Sequence, residues 1–128
     1  MKALLLAVLL TTSLFGRYED VRQALLKSSV ADVQRSAKAL ADAAQAEKQT
    51  AIAGRARDVA SATTLKAARD SFAALSNEMI RYRESRSGDR PAVAYCPMEK
   101  KSWLQPNGAI ANPYVDVAMR TCGEIKAR

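Results

Sequence analysis

Apolar residues recur at helical spacing along the first two thirds of the chain. Leu14, Tyr18, Val21 and Leu25 are separated by 4, 3 and 4 positions, which places them on one face of a helix. Ser28-Ser29 interrupts the pattern. Ser29, with Asp32 three positions on, resembles a capping box in which Asp replaces the usual Glu. Val30, Val33, Ala37, Leu40 and Ala44 then form a second face, and the polar stretch Gln45 to Thr50 predicts a turn. Ile52, Ala56 and Val59 make a shorter third stripe, in which Gly54 costs about 1 kcal/mol relative to alanine. After the cap-type residues Ser61 to Thr64 comes the longest stripe: Leu65, Ala68, Phe72, Leu75, Met79 and Tyr82. It is expected to stop near Ser87, with Gly88 able to take the left-handed conformation beyond the helix end. Asp89-Arg90-Pro91 then turns the chain.

From Ala92 the texture changes. Ala92 to Tyr95 reads as extended and leads into Cys96-Pro97-Met98. A residue before proline is driven to extended geometry, so Cys96 and Met98, two apart, are expected on one strand face. Glu99 to Ser102 is polar, Trp103-Leu104 is an apolar pair, and Pro106-Asn107-Gly108 predicts a turn. Asn112 suits the cap and Pro113 the first position of a last helix, on which Val115, Met119 and Cys122 share a face before Gly123 ends it. The fold expected from these patterns is all-α. It is an antiparallel four-helix bundle with a small irregular C-terminal lobe, about residues 92–128, made of a short extended segment and a short helix.

Composition agrees with helices: 48% of the 128 residues are apolar but only 5% are aromatic, so alanine carries much of the apolar content. Met1-Lys2, the apolar run Ala3 to Leu10 and then Thr11-Thr12-Ser13 have the layout of a secretory signal peptide. The run is shorter than the roughly 20 residues that a membrane span needs. The expectation is a leader over residues 1–16, a mature start between Leu14 and Arg17, and one domain over residues 17–128. That domain is periplasmic or secreted, with no transmembrane segment beyond the leader.

The 20 Lys and Arg outnumber the 13 Asp and Glu, a net charge of +7. The cations, Arg22, Arg69 and Arg83 among them, are interleaved with acids and read as solvated helix faces. No aromatic–basic platform accompanies them, so no nucleic-acid partner is expected. The chain has no histidine, which excludes Ser-His-Asp and Cys-His catalysis and the usual zinc enzymes. Its five glycines are dispersed, which excludes a Gly-rich phosphate loop. Glu99, Asp116 and Glu124 read as solvated or capping acids rather than catalytic ones, and a non-enzymatic role is expected.

Sulfur is the remaining chemistry. The pairs Cys96 with Met98 and Met119 with Cys122 could converge from a strand and a helix. One reading is a Cys96–Cys122 disulfide, as usual for two cysteines in an oxidising compartment. Closing a loop of about 26 residues would add roughly 3.5 kcal/mol. A second reading is a soft-metal site, in which two thiolates and the thioethers of Met98 and Met119 suit Cu(I), and a third is a thiol–disulfide switch, reduced to bind metal and oxidised otherwise. Trp103 would then either shield the cation with its ring face or serve as a core residue.

Tyr95-Cys96-Pro97-Met98, Trp103-Leu104, Ile110-Ala111-Asn112-Pro113-Tyr114, Met119 and Cys122-Gly123-Glu124 are together similar to the C-terminal signature of a bacterial family, domain of unknown function 3347. The helical stretch Phe72 to Ile80 resembles it too. The resemblance implies an exported domain linked to copper and heavy-metal efflux, with a membrane-fusion adaptor of an efflux pump as the partner class. In relatives the segment between Met98 and Trp103 is longer and more acidic or amide-rich. Here it is short and lysine-rich, so the family implies no ligand from it.

Overall fold

The computed structural model describes residues 13–128. Four helices come first: α1 (Leu14–Leu26), α2 (Val30–Ala46), α3 (Thr50–Ala60) and α4 (Leu65–Glu84). Three of them start on a capping hydroxyl. Ser13, Ser29 and Thr64 accept from the backbone N–H of Gly16, Asp32 and Ala67, each satisfying one donor that the first helical turn leaves free. The predicted stripes are buried over most of their length, from Leu14, Tyr18, Val21 and Leu25 through Phe72, Leu75 and Met79, while Val30, Leu65 and Tyr82 at the stripe ends are half-buried. Consecutive helices pack on one another, and buried Ala37, Ala44, Ala53 and Ala56 leave room for close approach.

The all-α expectation is overturned by the last third, which forms a three-stranded antiparallel sheet. Its strands are β1 (Ala92–Cys96), β2 (Lys101–Gln105) and β3 (Glu124–Ala127), in the order β2-β1-β3. β1 and β2 make a hairpin with Cys96 opposite Lys101 and Ala94 opposite Trp103. β3 returns along the other side of β1, with Tyr95 opposite Glu124 and Ala94 opposite Ile125. β2 carries no alternating signal because Trp103, Leu104 and Gln105 are all buried, on both strand faces. Helix α4 packs against it.

The final helix expected from Asn112-Pro113 is also absent. Asn112 does cap, but it caps a turn: its Oδ1 accepts from the Tyr114 N–H at 2.9 Å. Its Nδ2 donates to the Cys122 carbonyl at 2.8 Å, and its backbone N–H donates to the Arg120 carbonyl at 2.8 Å. A helix spanning those ten positions would hold them about 15 Å apart. The buried amide therefore selects a closed loop, and only Val117–Met119 makes a single 3₁₀ turn. Val115 is buried, Met119 exposed and Cys122 half-buried, so the three share no face.

The outer edge of β2 is closed by side chains. The Leu104 N–H donates to Tyr18 Oη at 3.0 Å, and Tyr114 Oη donates to the Ser102 carbonyl at 2.6 Å. Both tyrosine hydroxyls meet Ser76 Oγ of α4, at 2.7 and 3.1 Å. Tyr18 also stacks on Phe72, with ring centroids 4.8 Å apart. Helices and sheet thus share one core.

Two arginines expected on solvated faces are buried. Arg22 donates to Glu19 at 2.6 Å, while Arg83 donates to the Pro91 carbonyl at 2.7 Å and to Glu84. Most of the expected leader lies outside the described residues, but Leu14 to Gly16 form the first turn of α1 and Leu14 is buried. No helix among the described residues is long and apolar enough to cross a membrane.

Candidate functional site

The four sulfurs singled out in the sequence take different environments. Cys96 ends β1 and is fully buried, and its Sγ accepts the Glu99 N–H at 3.3 Å. The chain reverses at once: the Lys100 N–H donates to the Cys96 carbonyl at 2.7 Å, and Lys100 takes a left-handed conformation with φ 56°. Met98 lies in this turn and is 54% exposed. The strand ends before it, so the two-residue period does not carry from Cys96 to Met98. Thiol and thioether point to core and solvent respectively.

Met119 is 43% exposed, and Cys122 is half-buried with its N–H donating to the Met119 carbonyl at 2.8 Å. Both cysteines are free thiols. Among the described residues, Cys, Asp and Glu form no cluster of three able to hold a metal ion.

Trp103 is a core residue. It is fully buried, its Nε1 donates to Gln105 Oε1 at 3.0 Å, and its ring meets that of Tyr114 edge-on at 6.0 Å. Gly123 lets β3 approach it. A Cβ at position 123 would stand 2.8 Å from Trp103 Cη2 and 3.1 Å from the Tyr95 carbonyl, and the φ of 142° also favours glycine. The ring is enclosed within the core shared by helices and sheet.

The structure instead assembles an open pocket of about 340 Å³ between α4, the turn after β1 and the loop that follows Pro113. Lys66, Arg69 and Asp70 line it from α4, and Glu99, Lys101, Asp116 and Met119 line it from the lobe. Asp70 accepts from Lys101 at 2.8 Å and from Lys66 at 3.0 Å. These two ammonium groups, Lys101 foremost, hold its carboxyl below the usual range. Arg69 donates to the carbonyls of Pro113 and Val115 and pairs with Asp116 at 3.2 Å.

Three cations and three acids balance there, so the pocket carries no strong field of one sign. Sequence spacing could reveal only the Lys66–Asp70 pair, four apart on a helix. The partners Lys101 and Asp116 arrive from distant segments. Comparison with protein-family models, with curated proteins and with solved structures finds no match for this chain.

Proposed function

We propose that this chain is an exported, non-enzymatic domain of heavy-metal handling whose C-terminal lobe works at its surface, offering sulfur to Cu(I) and docking on an efflux adaptor. The observation that carries this reading is the exposure of Met98, Val117 and Met119, the large apolar side chains that the described residues leave in water. All three belong to the lobe. Met98 precedes Glu99, and Glu99 and Met119 border the same pocket.

Methionine is ordinarily buried. At a surface its thioether is a soft ligand suited to Cu(I) and an adaptable contact for a partner protein. Cys122 adds a partly accessible thiol close in sequence to Met119, whereas the Cys96 sulfur is committed to the core. The resemblance to domain of unknown function 3347 supplies the efflux context. The engagement of Asp70 with two lysines and of Asp116 with Arg69 favours a binding role over acid–base chemistry.

Titration of reduced protein with Cu(I) in competition with bicinchoninate tests the reading. Wild type is expected to withdraw Cu(I) from the chelator. Met98→Leu combined with Met119→Leu should weaken that competition while the fold is kept, because the exchange conserves volume. Cys96→Ser should leave it unchanged in protein that remains folded. Failure of the wild type to compete overturns the metal role.

A second reading, a disulfide-stapled interaction module without metal, is favoured by the strand pairing. Tyr95 opposite Glu124 brings the β1 end that carries Cys96 beside the segment that carries Cys122. Exported protein with no titratable thiol and no competition for Cu(I) would decide for it.

A further inference from the structure

The two edges of the sheet are treated differently. The outer edge of β2 is closed by Tyr18 and Tyr114, as described above. β3 lies at the other edge, and among the described residues its only strand partner is β1. Among the described residues no strand pairs with its far side, which leaves backbone donors and acceptors there as a template for another strand.

The side chains of β3 restrict what can add there. Glu124 and Lys126 alternate along the strand, both about half-exposed, and pair with each other at 2.8 Å. A strand carrying one sign of charge meets repulsion from one of these two groups. An antiparallel copy of β3 does not. With Ile125 opposite Ile125 about a two-fold axis, Glu124 of each copy stands opposite Lys126 of the other. The two intrastrand pairs then become an alternating quartet on one face.

We propose that β3 is a self-association edge, through which two copies of this chain join their sheets into one six-stranded antiparallel sheet. The interface is isologous, with the same strand used by both copies. The net charge of +7 opposes association at long range. At 0.15 M salt that repulsion is screened beyond about 8 Å, while directly opposed strand pairs are not.

Sedimentation equilibrium of the exported protein at 0.15 M salt, over a wide concentration range, tests the proposal. Wild type is expected to show a monomer–dimer equilibrium. Glu124→Lys places like charges opposite each other at two positions, and so does Lys126→Glu. Each variant alone should weaken association by roughly tenfold or more. Mixed in equal amounts, the two variants restore opposite charges at both positions and should associate as well as wild type. That recovery separates an interface effect from misfolding. A wild type that stays monomeric overturns the proposal. So does association that neither reversal weakens, or a loss that mixing does not recover.

Discussion

Tyr18 and Tyr114, one on the first helix and one in the C-terminal lobe, place their hydroxyls on the same side chain, Ser76, at 2.7 and 3.1 Å. Each also occupies one backbone group on the outer edge of β2. Both rings are buried, and burial raises both phenol pKa values well above the usual range.

Tyr114→Phe leaves the Ser102 carbonyl without this donor and should cost about 1–3 kcal/mol. The double variant with Tyr18→Phe should depart from additivity, because the two hydroxyls share Ser76. A double-mutant cycle by urea denaturation measures both effects. The raised pKa values also fix a direction with pH. The unfolded chain ionises its tyrosines near pH 10 and the folded chain resists. The contribution of the two buried phenols is therefore complete below about pH 10 and is lost as pH rises beyond it. Replacing both tyrosines with phenylalanine should flatten that alkaline loss.

The glycines at positions 54 and 123 should respond to alanine with opposite signs. Gly54 sits inside α3 with nothing within 4 Å of an added Cβ. Gly54→Ala should stabilise by about 0.5–1 kcal/mol, since glycine is the costlier residue in a helix. Gly123→Ala drives a methyl group against Trp103 and the Tyr95 carbonyl at a positive φ. It should destabilise by about 1–3 kcal/mol. Shifts of the same sign in thermal unfolding would contradict the placement of one of them.

Asp70 ties α4 to β2 through Lys101, and its carboxyl pKa is depressed, chiefly by that hydrogen bond and then by Lys66. A depressed folded-state pKa means that the contribution is present above the unfolded value of about 3.9. It is lost as pH falls through the lower folded value. Asp70→Asn should remove a modest part of the acid sensitivity below roughly pH 4, modest because the pair is partly solvated. Stability measured from pH 7 to pH 2 on both proteins provides the comparison.

The thiols should differ in reactivity. Cys96 is fully buried, and Cys122 is partly accessible. Brief treatment of reduced, folded protein with iodoacetamide should modify Cys122 well before Cys96, because attack requires access to the sulfur. Denaturant should abolish the difference. Peptide mass analysis reads the ratio, and equal native rates would mean that the turn from Pro97 to Lys100 opens readily.

Local pattern alone was sufficient for the four helices. Each buried stripe from Leu14 to Met79 is a run of apolar residues at helical spacing, and the caps Ser29 and Thr64 stand where the stripes begin. Helix periodicity and capping are local properties, written within a few residues of where they act. The sheet is not local in that sense. β2 lacks alternation because Trp103, Leu104 and Gln105 are buried on both strand faces, and β3 is defined only by its pairing with β1. Asn112-Pro113 has the composition of a helix start, yet the buried Asn112 amide reaches Arg120 and Cys122 and closes a loop. The residue types of the sulfur set were readable in the sequence, but their accessibility was not. Whether a sulfur faces the core or water depends on where a strand ends and which distant residues cover it. Cys96 is inside and Met98 outside because the chain reverses between Cys96 and Lys101, a choice made by the tertiary pairing of β1 with β2.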